Sequence, residues 1–153
     1  MYCKCNNING KSLIKISVLL AIIITGGKTG FTDEKGVDTD RVQLLDKNGT
    51  LICNLPNLPD KRFGHTQNGL VACGGGNYSY ILSNCLTFQN GSWTETYTLA
   101  EPRFLHSSWS SPNGIMLLGG MMDVTNENYD PPVTSEILME EGGKQSFSMK
   151  HRT

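Results

Sequence analysis

Two histidines stand in matched surroundings in this 153-residue chain: Arg62-Phe63-Gly64-His65-Thr66 and, 41 positions later, Arg103-Phe104-Leu105-His106-Ser107. Imidazoles at such places could ligate a metal or act as bases. Matched positions on neighbouring repeats, however, lie about one sheet spacing apart, on the order of 10 Å, which is too far to share an ion. The pair is therefore expected to serve packing or strand hydrogen bonding. Ser107 and Ser108 follow His106 directly, and on a strand they point to opposite faces rather than pairing as nucleophile with the base. Gly27-Lys28-Thr29 invites a phosphate-loop reading, but that loop needs Gly at position 22, where this chain has Ile22, and no helix pattern follows. Cys3 and Cys5 are close in sequence, with no His or second Cys pair placed to complete a tetrahedral zinc site. Asp38/Asp40 and Glu140/Glu141 fall in turn-like segments and read as solvated charge. With no acid and base pair standing out, the expectation is a non-catalytic protein with no cofactor and no metal.

The elements that hold these residues follow from composition. The length fits one compact domain. A net charge of −1 without a run of Lys or Arg argues against nucleic acid or anionic lipid as the main partner, since both require a basic face. Seventeen glycines and a charged fraction of only 18% point to short apolar strands joined by tight turns, an all-β fold. The longest apolar run, Val18 to Ile24, is too short to span a membrane, which takes about 20 residues. It fits either the apolar part of a secretion signal, with Lys4, Lys11 and Lys15 upstream, or a buried strand. The strand is favoured, because the Gly-Gly that ends the run recurs in phase elsewhere.

That recurrence is threefold. Apolar runs end in Gly26-Gly27, Gly74-Gly75 and Gly119-Gly120, and the Arg-Phe segments keep a similar step. So do the turns Lys47-Asn48-Gly49-Thr50, Gln89-Asn90-Gly91-Ser92 and Glu141-Gly142-Gly143-Lys144. The middle copy reads as four short strands: RFGHTQ, GLVACGGG, NCLTFQ and SWTETYTL. The third reads as RFLHSS, NGIMLLGG, TSEILME and QSFSMKH, and the first shows only LLAIIITGG, RVQLLD and TLICNL. Pro59 and Pro102 mark boundaries, because Pro cannot donate to a sheet ladder. The units are 19–59, a partial copy, then 60–100 and 101–153. Residues 1–18 form an N-terminal segment whose first twelve residues read as frayed.

Four-stranded units of this length, each with Gly-Gly after its second strand, resemble kelch repeats, the blades of a β-propeller. The matching residues are Leu70 to Ala72, Gly74-Gly75, Trp93 on the fourth strand and Arg103 before the next first strand, with Arg62 at the same phase one unit earlier. The first unit lacks the Trp, and Phe147 stands near its phase in the third. The resemblance implies a module that binds another protein through loops at one face. Carried onto this chain, the contact positions are Lys28, Tyr78, Met121 and Asp123 after the glycine pairs, with Phe63 and Leu105 after the arginines. Some kelch-like propellers are copper radical oxidases of galactose oxidase type or sialic-acid epimerases, which makes part of such an enzyme the alternative reading. The oxidase set of two Tyr, two His and a Tyr-Cys cross-link cannot be placed among Tyr78, Tyr80, Tyr97, Tyr129, His65, His106 and Cys85. Propellers close with about 4 to 8 blades. A chain with not quite three is thus expected to be part of a longer propeller, or to self-associate through apolar surface on its outer units.

Cys73 on the second strand and Cys85 on the third would come within disulfide range if the register sets them opposite. Buried free thiols, or pairing with Cys53, are the alternatives. Sequons at Asn48, Asn77 and Asn90 favour an extracellular over a cytoplasmic location.

Overall fold

The computed structural model describes residues 2–7, 10–15, 21–29, 36–77, 79–122, 134–139 and 143–148. Among them every regular element is a β-strand, and all pairings are antiparallel. Three sheets carry the architecture. The first has β3 (Ala21–Thr25), β6 (Val42–Asp46) and β7 (Leu51–Leu55) in that spatial order. The second contains β8 (Thr66–Asn68), β9 (Val71–Cys73), β10 (Asn84–Gln89) and β11 (Ser92–Thr98) as a meander. The third repeats that meander with β12 (Ser107–Ser111), β13 (Gly114–Leu118), β14 (Thr134–Leu138) and β15 (Lys144–Ser148). A short ladder joins β4 (Lys28–Thr29) to β5 (Val37–Asp38). The arrangement is consistent with a partial β-propeller-like fold, and the sheets do not close on one another.

The structure has three antiparallel sheets of three to four strands, and the apolar run at Val18 to Ile24 contributes the strand Ala21–Thr25. Two expectations fail. The segment read as frayed contains a hairpin of β1 (Tyr2–Asn7) and β2 (Gly10–Lys15), because a backbone ladder needs no apolar alternation in the side chains. Asp38 is buried rather than solvated, since the β4–β5 ladder and a Thr39 N–H donated to the Gly27 carbonyl draw it onto the body. Glu140 and Glu141 lie outside the described residues.

Each apolar core sits between consecutive sheets. Val42, Leu44, Cys53 and Leu55 of the first sheet pack with Ala72, Leu86, Phe88 and Trp93 of the second. On the opposite face of the second sheet, Cys73 and Cys85 pack with Leu117 and Leu138 of the third. The period-2 alternation of β9 sends Ala72 one way and Cys73 the other, so the middle sheet is buried on both faces. Trp93 latches the first two sheets together: its Nε1–H donates to the Pro56 carbonyl at 2.9 Å, and its ring packs on Phe88. The outer faces stay apolar and open at Ile22 and Ile24 on β3 and at Phe147 on β15.

Cys73 stands directly opposite Cys85 in the ladder, 4.0 Å apart at Cα, and the two form a disulfide. Cys53 is disulfide-bonded as well, and therefore not to either of these.

The glycine pairs show why the repeat needs them. Gly74 and Gly75 have φ of +58° and +84°. A Cβ at Gly74 would stand 2.5 Å from the Arg103 carbonyl oxygen and 2.8 Å from the His106 ring, both in the next unit. Gly119 has the same phase and φ of +65°, with nothing within 4 Å of its would-be Cβ. Gly74→Ala is expected to cost about 2–4 kcal/mol, from left-handed strain plus a displaced backbone. Gly119→Ala should cost only the strain, about 1 kcal/mol. Urea denaturation of both variants checks this, and equal losses would contradict the packing described.

Candidate functional site

The seam between units is built by the Arg-Phe-x-His segments. In the first two pairs the second glycine donates its N–H to the arginine carbonyl of the next unit, Gly27 to Arg62 at 2.8 Å and Gly75 to Arg103 at 2.9 Å. The guanidinium in turn holds the first glycine of its own unit: Arg62 Nη1 donates to the Gly74 carbonyl at 3.1 Å and Arg103 Nη1 to the Gly119 carbonyl at 3.3 Å. Both arginines are fully buried. Burial pulls their pKa values down, against the opposing pull of Asp60 on Arg62 and of Glu136 and Glu101 on Arg103. The partners differ between units. Asp60 is partly exposed and 3.5 Å from Arg62, whereas Glu136 is fully buried at 3.2 Å from Arg103.

The histidines are cross-sheet connectors. His65 Nε2 lies 2.7 Å from Thr25 Oγ1, and His106 Nε2 lies 2.9 Å from Thr66 Oγ1, each reaching into the preceding unit. Thr25 spends its hydroxyl proton on Gln67 Oε1 at 2.7 Å, so it accepts from His65, which carries its proton on Nε2. Nδ1 of both rings is buried without a hydrogen-bond partner. Burial, reinforced by Arg62 beside His65 and by Arg103 and then His65 near His106, lowers both pKa values to about 4. Neutral rings with this role suit structural bonding rather than base catalysis. Among the described residues no group of three His, Cys, Asp or Glu side chains is placed to hold a metal ion.

At the glycine-pair end of the sheets the side chains form a row. Lys28 Nζ sits 4.6 Å over the centroid of the Phe63 ring. Phe63 meets Phe104 edge to face at 6.1 Å, and Phe104 exchanges two backbone hydrogen bonds with Met121. Leu105 donates its N–H to the Gly64 carbonyl, which ties the same segment to the unit before it. Four of the six contact positions expected from sequence, Lys28, Phe63, Leu105 and Met121, are therefore linked along one rim. Tyr78 and Asp123 lie outside the described residues.

Leu105 departs from its surroundings. It is 59% exposed and has φ of +54°, a left-handed conformation, where the matching position of the preceding unit is Gly64. A bulky side chain there is strained. Sequence reasoning placed Leu105 on the rim but did not see the strain. It passed over Trp109, which is 70% exposed on β12; the lone aromatic in a serine-rich strand, Ser107 to Ser111, was the available signal.

The chain matches no family model and no curated protein. Among solved structures, that of YjhT superposes with a TM-score of 0.63 at 17% identity. The match covers 84% of this chain and 42% of that one, so this chain spans less than half the length of its structural neighbour. At that identity the likeness concerns the fold alone. Among the described residues no helix is long and apolar enough to cross a membrane.

Proposed function

We propose that this chain is a kelch-type, non-catalytic protein-interaction module, part of a β-propeller, that holds a partner protein at the rim formed by Lys28, Phe63, Leu105 and Met121. The observation that carries this reading is Leu105. An exposed leucine held in a left-handed conformation, at a position where glycine serves in the preceding unit, carries backbone strain, and such strain gathers at binding sites. The Phe63–Phe104 aromatic pair and the Lys28 cation on Phe63 supply the rigid apolar and charged groups that anchor interfaces. The partial coverage of a longer structural neighbour supports the view that these units belong to a larger ring. The open apolar faces at Ile22, Ile24 and Phe147 are where further units, or a second copy, would pack.

The test separates stability from binding. Leu105→Gly should be as stable as the parent or more so, by about 1 kcal/mol, because it relieves the left-handed strain. The same substitution, alone or with Met121→Ala, should lower recovery of the partner in a quantitative pull-down at least tenfold. Unchanged recovery by a folded Leu105→Gly, Met121→Ala variant would remove this rim from consideration.

A further inference from the structure

Of the three sequons, Asn48-Gly49-Thr50 and Asn90-Gly91-Ser92 occupy equivalent places. Each is at the turn between the third and fourth strands of its unit, β6 to β7 and β10 to β11. Antiparallel pairing fixes where those turns lie. Thr25, which precedes Gly26, pairs with Val42, while Ala21 pairs with Asp46, so Asn48 is at the end of the sheet away from the glycine pair. Asn90 is likewise away from Gly74, since Cys73 pairs with Cys85 at the start of β10 and Gln89 with Ser92 at its close.

The turns are built without the acceptor carboxamides. Asp46 Oδ1 receives the N–H groups of both Asn48 and Thr50 at 2.8 Å, leaving the Asn48 side chain exposed. Asn90 and Gly91 have φ of +53° and +84°, a hairpin turn held by backbone shape, and the Asn90 side chain is exposed too. Asn77 differs. Its Oδ1 accepts the N–H groups of Ser79 at 2.8 Å and Tyr80 at 3.1 Å, and its residue is only partly exposed, so its carboxamide is part of the loop's own framework. Independently, the Cys73–Cys85 disulfide and the disulfide-bonded Cys53 belong in an oxidising compartment, where asparagine-linked sugar is added.

We infer that Asn48 and Asn90 are acceptor sites for asparagine-linked oligosaccharide, and that Asn77 is not. The donor class is a lipid-diphosphate-linked oligosaccharide. The bond from Nδ2 to the sugar's anomeric carbon forms, the bond from that carbon to the diphosphate oxygen breaks, and Nδ2 gives up one proton as the lipid diphosphate leaves. Two neighbouring glycans would cover one end of the first two sheets and leave the opposite rim, with Leu105 and Met121, clear. The third unit carries Gly142-Gly143 at the matching turn and has no acceptor there.

The full chain, directed into the secretory pathway of a eukaryotic cell, is analysed by intact mass before and after enzymatic release of asparagine-linked glycans. The expected result is two glycans on the parent, one on Asn48→Gln, one on Asn90→Gln and none on the double variant. Thr50→Ala and Ser92→Ala should reproduce the single losses while keeping each asparagine. A parent with no glycan, or a double variant that still carries one, overturns the assignment.

Discussion

Glu136→Ala is expected to destabilise the fold by about 3 kcal/mol, because it leaves the buried Arg103 guanidinium without its nearest carboxylate. Both side chains are fully buried and 3.2 Å apart. The loss is twofold, since the Glu136 carboxylate also accepts the Ala100 N–H at 3.0 Å. Glu101 at 3.6 Å and the Thr134 hydroxyl and carbonyl, each at 2.8 Å, keep the arginine partly satisfied, which holds the cost to the lower end of the range for a broken buried pair. The contrast is Asp60→Ala. Its carboxylate is partly exposed and 3.5 Å from Arg62, so solvent screening should limit that loss to under about 1 kcal/mol. Removing both charges with Arg103→Met, Glu136→Leu should recover only the part of the deficit due to the stranded guanidinium, because the Ala100 N–H still lacks its acceptor and Glu101 loses its own ion-pair partner. Urea denaturation of the four proteins decides the matter. A Glu136→Ala loss no larger than that of Asp60→Ala would show that the ion pair is not desolvated.

Acidification should weaken the fold steeply, and the two seam histidines set the window. Their pKa values in the folded protein are about 4, against 6.5 for an unperturbed side chain. Between those values the unfolded chain binds more protons than the folded one, so stability rises with pH. The contribution is complete above about pH 6.5, is lost as pH falls toward 4, and loses nothing more below that value. Each ring can contribute a slope of at most about 1.4 kcal/mol per pH unit, so the pair can reach about 2.7. Protonation would place a charge on Nδ1, which is buried without a partner, close to Arg62 in one unit and Arg103 in the next. Chemical denaturation at intervals from pH 7.5 to 5 measures the slope. His65→Gln should lower stability at pH 7 yet flatten the dependence by about half. A parent whose stability does not change between pH 7 and pH 5 would mean that the rings are hydrated.

The strands and their phase were legible in the amino-acid order because they rest on local rules. Gly-Gly after an apolar run, Asn-Gly at a hairpin and Pro59 and Pro102 at boundaries act through backbone φ and lost donors, and they predict short antiparallel strands joined by tight turns, which the described residues form. The Cys73–Cys85 disulfide was legible only as far as the register was, since one step along β10 would have turned Cys85 to the other face. What the tertiary structure decided concerns contacts between units. Glu136 carries no motif in the sequence, and its role appears only when β14 brings it within 3.2 Å of Arg103. Asp38 reads as a surface charge until the β4–β5 ladder buries it. The matched histidines were expected to serve packing or strand hydrogen bonding, but which hydroxyl each would meet depended on the preceding sheet, Thr25 for one and Thr66 for the other. Leu105 followed from the repeat as a rim position, whereas its left-handed backbone came from the close approach of Gly64 in the neighbouring unit, a distance that no local pattern in the chain encodes.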